Sequence, residues 1–369
     1  MQKDSFFTIA ATALHELYGG TFHENDGTSM NEQPVGYPLL NANDVEGMSR
    51  YLSDQGRLAD GERIEEVSRA GEGNMNCTLR VRSNRRSFIA KQSRPWVEKY
   101  PSIAAPEERI AMEARFYQYV ASTGEVATRM PQLLSFDRDS RVMLLEDLGD
   151  TADFTHIYRD PSEEDVPREA LCDWLAALHR VEFDAATREA LENRGMRELN
   201  HEHIFHLPLL ADNGLDLDGI TPGLAALAGT LIARTEYVRT VEELGARYLG
   251  DGPSLLHGDF YPGSWVRSAD GVWVIDPEFC FFGPGEFDVG ICVGHFLLAG
   301  MSLSYALGVF DDYSGSAEFS DALALQFAGV EIMRRLIGVA QLPLQVDLGE
   351  KKRLLDLSQR LVLSPQDLL

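Results

Sequence analysis

The stretch from Leu255 to Gly290, LLHGDFYPGSWVRSADGVWVIDPEFCFFGPGEFDVG, holds the residue types best suited to chemistry. His257-Gly258-Asp259 follows one apolar run, and Asp276-Pro277-Glu278 closes the next, VWVI. A carboxylate in a loop after one strand, followed by two more at the end of the next, suits phosphoryl transfer. One carboxylate orients an attacking hydroxyl or accepts its proton. The others hold Mg²⁺, a hard cation that prefers oxygen ligands. Either tripeptide alone reads as a turn former at a strand end. Two of them across a hydrophobic hairpin favour function.

Such a reaction also needs a cation for the phosphates of a nucleotide. The lysines are Lys3, Lys91, Lys99, Lys351 and Lys352, and only Lys91 closes an apolar strand, SFIAK. Its stem would lie against a core, although a snorkelling edge-strand lysine looks the same in sequence. Glu113, set among Ile110, Ala114 and Tyr117, is a better helix partner for it than Glu107 or Glu108. Upstream, Gly71-Glu72-Gly73-Asn74-Met75-Asn76 lies between two strand-like pieces, where glycines would let backbone amides approach phosphate. An ordinary turn explains that loop equally well.

Arg334 and Arg335 fall within an apolar helical pattern, GVEIMRRLIG. Adjacent residues cannot share one helix face fully, so at least one is directed somewhere special. A solvated or salt-bridged pair is the plainer reading. His201, His203 and His206, in HEHIFH, lack HExxH spacing and a third ligand, so a loop or helix face is expected there rather than a metal site. No G-x-x-x-x-G-K-[ST] and no G-x-S-x-G occurs, which excludes a Walker-type nucleotide site and leaves a nucleophile elbow unsupported.

The elements that must position these residues fall into two textures. Up to about residue 150 the pattern predicts a helix from Asn41, capped by Asn43, then strands Ile64 to Val67, Cys77 to Arg82 and Ser87 to Lys91. A long helix starts at Pro106, and a further strand runs from Arg141 to Leu145. Beyond Gly149 helices dominate: Pro167 to Arg180, Pro222 to Leu249, Ser320 to Gln341 and Lys351 to Leu363. Only a β-rich piece between Ser254 and Phe282 interrupts them. A small β-rich part is thus followed by a larger helical one. Ser5 to Leu14 reads as a short amphipathic helix, ahead of a signal peptide.

The chain of 369 residues suits two domains or lobes. It carries 58 acidic side chains against 33 basic ones, a net charge of −25. That surface repels nucleic acid and anionic lipid, and it admits neutral or cationic small substrates. No apolar run approaches a membrane span. Cys77, Cys172, Cys280 and Cys292 show no C-x-x-C spacing, which fits a reducing compartment, the cytoplasm. A homodimer is left open.

Together these residues resemble the aminoglycoside phosphotransferase/choline kinase family, and within it the 5-methylthioribose kinase pattern. Gly263-Ser264 stands where that pattern ends its catalytic loop in Gly-Ser. Phe279 to Gly290 matches its FAFYGPxGFDxG-like run, Gly71 to Asn76 its GDGNLN-like loop, and Lys91-Gln92 with Pro95 its KQ-x-x-P. Glu331 to Ala340 matches ELIRR-x-IG-x-A, and Tyr37 to Tyr51 echoes its opening. The resemblance covers about residues 37–363. It implies a bilobal protein-kinase-like α+β fold: an extension at 1–36, a small β-rich nucleotide lobe at 37–148, and a larger, mainly helical catalytic lobe at 149–369.

By that resemblance Asp259 is the catalytic base, and Ser264, Asp276 and Glu278 hold Mg²⁺. Gly73, Asn74, Asn76, Lys91 and Glu113 serve ATP, and the backbone of Glu146 to Leu148 is the adenine hinge. Arg334 and Arg335 lie near phosphate or sugar. The implied activity is an ATP-dependent small-molecule kinase acting on a hydroxyl, with methylthioribose or a related sugar as leading acceptor. Rival readings are an aminoglycoside- or choline-type phosphotransferase and a nucleotide-binding regulator without turnover. One departure falls beside the acceptor: GDLHTGS becomes GDFYPGS, so Tyr261-Pro262 replaces His-Thr. A second replaces W-P-L-T by Tyr100-Pro101-Ser102-Ile103.

Overall fold

A computed structural model describes residues 35–71, 75–315 and 318–369. The expected helix at Ser5 to Leu14, and Glu72, Gly73 and Asn74 of the glycine loop, lie outside those residues. The described chain divides into two compact units. One takes residues 35–122 and Pro131–Gly149, the other Thr123–Met130 and Asp150–Leu369.

The first unit opens with α1 (Val45–Asp54), then β1 (Ile64–Arg69), β2 (Cys77–Ser83) and β3 (Ser87–Gln92). A hairpin of β4 (Trp96–Val97) and β5 (Tyr100–Ala104) follows, then α2 (Arg109–Val120), β6 (Leu133–Asp137) and β7 (Val142–Glu146). Five of the strands form one antiparallel sheet in the order β1-β2-β3-β7-β6. Alternation drives it: Cys77, Leu79 and Val81 of β2 all point inward, with Phe88 and Ala90 of β3 beside them. Met48 and Leu52 of α1 cover that face.

Two helix starts in this unit differ from the sequence expectation. Asp44, not Asn43, caps α1, its carboxylate accepting from the Gly47 N–H at 2.8 Å, while Asn43 takes a left-handed turn at φ 66°. The helix expected at Pro106 begins at Arg109. The fully buried Arg109 guanidinium donates to the carbonyls of Pro106, Arg94 and Met75, which holds the preceding residues as a turn.

The second unit begins with α3 (Gly124–Ala127) and β8 (Ala152–Asp153), then α4 (Arg168–His179), α5 (Ala185–Ala190) and α6 (Arg194–His201). A π-helical turn, Glu202–His206, leads to α7 (Leu217–Ile220), α8 (Leu224–Ile232) and α9 (Thr235–Leu249). Short strands β9 (Ser254–Leu256), β10 (Trp265–Ser268), β11 (Gly271–Val274) and β12 (Phe281–Gly283) carry the two carboxylate loops. Helices α10 (Glu286–Leu298), α11 (Leu303–Asp312), α12 (Asp321–Ile337) and α13 (Leu348–Leu363) close the chain. The single helix expected over 222–249 is two, broken where Arg234 is extended, and both pieces pack on α13.

Helix α12 is buried on every side from Phe327 to Ile337, as a helix at the centre of a core must be. It lies backbone to backbone with α10. A Cβ added at Gly294 would stand 3.1 Å from the Ala328 carbonyl oxygen, and one at Gly290 only 2.7 Å from the Phe327 Cβ. Among the described residues no helix is long and apolar enough to cross a membrane.

Candidate active site

In the first unit β3 and α2 place one cation against one carboxylate. Lys91 sits between Thr78 and Met143 in the sheet, and its Nζ lies 2.8 and 2.7 Å from the two carboxylate oxygens of Glu113. Both side chains are buried, so each charge is tolerable because of the other. Glu107 instead accepts from the Tyr37 hydroxyl, and Glu108 lies 3.2 Å from Arg141. Asn76 is turned inward, its amide oxygen accepting from Arg109 Nε at 2.8 Å. Glu146 ends β7, its backbone N–H donating to the Gln132 carbonyl and its carboxylate accepting from the Gln132 N–H. The half-buried Leu148 precedes Gly149, which turns the chain at φ 76°.

In the second unit β9 delivers His257-Gly258-Asp259, and a buried carboxylate holds the loop from behind. Asp288, in the first turn of α10, accepts the backbone N–H of His257 at 2.6 Å and of Gly258 at 3.0 Å, with His179 Nε2 at 3.3 Å. Gly258 has φ 86°, and any Cβ there would strike the Phe279 backbone, so only glycine fits. His257 Nε2 bonds the Ile275 carbonyl at 2.9 Å, tying this loop to the residue before Asp276. Ser264 donates to the Asp259 carbonyl at 2.9 Å. Asp276 itself is left-handed, φ 63°, a costly conformation that surrounding structure must enforce. Glu278 is buried, and Asn193 donates to its carbonyl and to that of Cys280.

The arginine pair is salt-bridged, the plainer of the two sequence readings. Glu331, Arg334 and Arg335 are spaced i, i+3 and i+4, so both guanidinia reach back to the one carboxylate. The same two reach Asp259, whose Oδ1 lies 3.4 Å from Arg335 Nη2 and 3.8 Å from Arg334 Nη2. Glu331 is completed by His295 Nε2 at 2.9 Å, and His295 Nδ1 meets the Tyr158 hydroxyl at 2.6 Å. Burial raises the Asp259 pKa, and the two arginines pull it back. Burial would raise Glu331 as well, but there the arginines win and hold it well below the carboxylate range. Burial pushes His295 down to about 4, so it is neutral. The Tyr261 ring lies under Arg335, 5.1 Å from its Cζ, and 5.3 Å from the His295 ring.

Four residues of this arrangement escaped the sequence reading: Glu331, Asp288, His295 and Asn193. Glu331 and Asp288 left a signal, since each is a lone carboxylate within an apolar helical run, AGVEIM and FDVGICV. His295 and Asn193 act through contacts distant in sequence. The histidines of HEHIFH lie on the π-helical turn and the end of α6. Among the described residues no group of three or more His, Cys, Asp or Glu side chains is arranged to hold a metal ion.

The phosphotransferase enzyme family matches residues 77–320, which spans both the Lys91–Glu113 pair and the two carboxylate loops. The chain belongs to that family. It is 25% identical over 313 residues to the methylthioribose kinase of Exiguobacterium sibiricum, covering 73% of this chain and 79% of the relative. It is 26% identical over 288 residues to the methylthioribose kinase of Escherichia coli, spanning 72% of this chain and 65% of that enzyme. The fold is that of a spectinomycin phosphotransferase solved with ADP and spectinomycin, at 13% identity and TM-score 0.51, covering 89% of this chain and 99% of the other. This phosphotransferase therefore has the protein-kinase-like α+β fold, and it is a small-molecule kinase.

Proposed function

We propose that this phosphotransferase uses ATP and Mg²⁺ to phosphorylate a hydroxyl of an uncharged sugar, with methylthioribose or a close relative as acceptor. The charge around Asp259 carries the reading. Two buried guanidinia flank that carboxylate, and a second carboxylate beside them, Glu331, is already saturated by both. With Asp259 and Glu331 counted, the group carries no net charge, so it offers a cationic acceptor, aminoglycoside or choline, no unpaired carboxylate of its own. A sugar hydroxyl needs none.

On this reading Lys91, held by Glu113, takes phosphate oxygens of the nucleotide, and the backbone of Glu146 to Leu148 takes its adenine. Asp259 aligns the acceptor hydroxyl and receives its proton as the new P–O bond forms. Asp276, Glu278 and the Ser264 hydroxyl are hard oxygen donors that fit Mg²⁺, which when bound offsets phosphate charge. The buried, unbridged cysteines suit a cytoplasmic enzyme. Nucleic acid and membrane have no part in the reading.

The test is Mg²⁺-dependent ATP consumption on methylthioribose, ribose, choline and kanamycin. Turnover on a sugar and none on the two cations is expected. Preference for choline or kanamycin would overturn the acceptor assignment, and no turnover on any would favour a regulator.

A further inference from the structure

In the cluster around Asp259, His295 is neutral, yet both of its ring nitrogens are engaged. The ring is fully buried. Its Nε2 lies 2.9 Å from Glu331 Oε1, and its Nδ1 lies 2.6 Å from the Tyr158 hydroxyl. Burial, with Arg335 and Arg334 adding to it, pushes the imidazole down to about 4 against the pull of Glu331. A neutral imidazole has one N–H and one lone pair, and an ionised carboxylate can only accept. The proton therefore sits on Nε2, Nδ1 is the acceptor, and Tyr158 is the donor. Burial raises the Tyr158 hydroxyl well above its ordinary range, so it keeps the proton it donates.

Glu331 divides its oxygens among three donors. Oε2 accepts from Arg334 Nε, while Oε1 accepts from Arg335 Nε at 2.7 Å and from His295. A carboxylate held only by two long side chains can turn with them. A third donor, fixed on α10, holds its plane and with it the reach of both arginines to Asp259. Tyr158 in turn is placed by a segment tied to the loop that carries the base. Strand β8 pairs with β10 at Val266 and Arg267, just beyond Ser264. The Phe154 N–H donates to the Pro262 carbonyl at 2.9 Å, and the tight turn Thr155–Tyr158 then brings the hydroxyl to His295. The His295 ring also lies 5.3 Å from that of Tyr261. Loop and arginines thus share one imidazole.

We propose that Tyr158 and His295 are positioning residues for phosphoryl transfer: the Tyr158 hydroxyl fixes the imidazole that fixes Glu331, which sets the two guanidinia against Asp259. The proposal rests on Asp259 acting as the base in the kinase reading above. Neither residue is asked to touch acceptor or nucleotide, so their effect falls on kcat rather than on binding.

The test is a double-mutant cycle of Tyr158→Phe with His295→Gln, read as kcat with ATP and methylthioribose, ribose, choline or kanamycin. Glutamine keeps a donor for Glu331 but places no acceptor where Nδ1 stands. Tyr158→Phe alone should lower kcat about 3- to 10-fold, the loss of one neutral hydrogen bond, with the KM for ATP within about twofold. In the His295→Gln background the same change should cost less than about twofold, because the bond is already gone. His295→Leu, with no donor for Glu331, should fall below His295→Gln. These changes lower stability whatever the role, so kcat is read well below the melting transition. Equal effects of Tyr158→Phe in the two backgrounds, or none in either, overturn the proposal. NMR of the unaltered chain with isotope-labelled histidine should find the His295 proton on Nε2 at neutral pH. A proton on Nδ1, or on both nitrogens, overturns it too. Turnover confined to choline or kanamycin would instead overturn the sugar reading, and the cycle would be read on that acceptor.

Discussion

In the first unit Glu113 meets one ammonium, whereas in the second Glu331 meets two guanidinia and an imidazole. The first pair sets one ammonium against one carboxylate. The second is neutral only when Asp259 is counted, because two arginines face two carboxylates. When Asp259 takes a proton, one positive charge is left over beside it. A two-membered pair can hold a cation in place, but a four-membered one can also change its net charge during a reaction. That difference separates a group that positions from a group that takes part.

The largest effect should come from the shared member. Asp259→Asn keeps shape but removes the charge, and kcat should fall about 10²–10⁴-fold while ADP affinity stays within about twofold. Activity within threefold of the original chain would remove Asp259 from the base role. Next comes the anchoring carboxylate. Glu331→Gln strands two buried cations and should cost about 3–5 kcal/mol in denaturant unfolding, more than Glu113→Gln, which strands one. Because folding lowers the Glu331 pKa, its contribution is full above the ordinary carboxylate range and fades as pH falls through the lowered value. The gap between Glu331→Gln and the original chain should narrow in acid. If Glu113→Gln proves the more damaging, the comparison is reversed.

Much of the first unit could be read from sequence, because strand alternation and a lysine ending an apolar strand are local signals. Lys91 and Glu113 were both named from such signals and the structure pairs them. The second unit was legible only in its loops. His257-Gly258-Asp259 and Asp276-Pro277-Glu278 declare themselves by composition, but the groups that hold them, Asp288, Asn193 and Glu331, are set by packing between residues as far as 87 apart in sequence. The arginine pair shows the limit. A salt-bridged pair was one of two readings, but its partner could not be named, because long guanidinium side chains at i+3 and i+4 converge on a carboxylate one turn back.

A smaller effect concerns pH. Arg335 is the strongest of the charges opposing the burial that raises the Asp259 pKa. Arg335→Gln should let that pKa climb further, and since the base must be ionised, the acid limb of kcat/KM should move to higher pH. Arg335→Lys should hold the limb in place. An unmoved limb in Arg335→Gln would mean that the cluster does not tune the base. Smallest of all is acceptor choice at Tyr261 and Pro262. Tyr261→His with Pro262→Thr should raise kcat/KM for methylthioribose several-fold, leaving the KM for ATP nearly unchanged. Efficient use of methylthioribose by the unaltered chain would show that these positions do not set specificity.

Gly290 and Gly294 let α10 and α12 touch through their backbones, with main-chain atoms of Ala324 and Ala328 where side chains would otherwise stand. Nothing there can swing aside. A single methyl group at position 290 would have to lift the whole of α12, and with it Glu331, Arg334 and Arg335. Asp259, moored to α10 through Asp288, would stay behind. The helix contact therefore works as a spacer whose thickness sets the gap between base and arginines. A variant altered only there would keep every side chain named in the chemistry and still miss the distance at which they act.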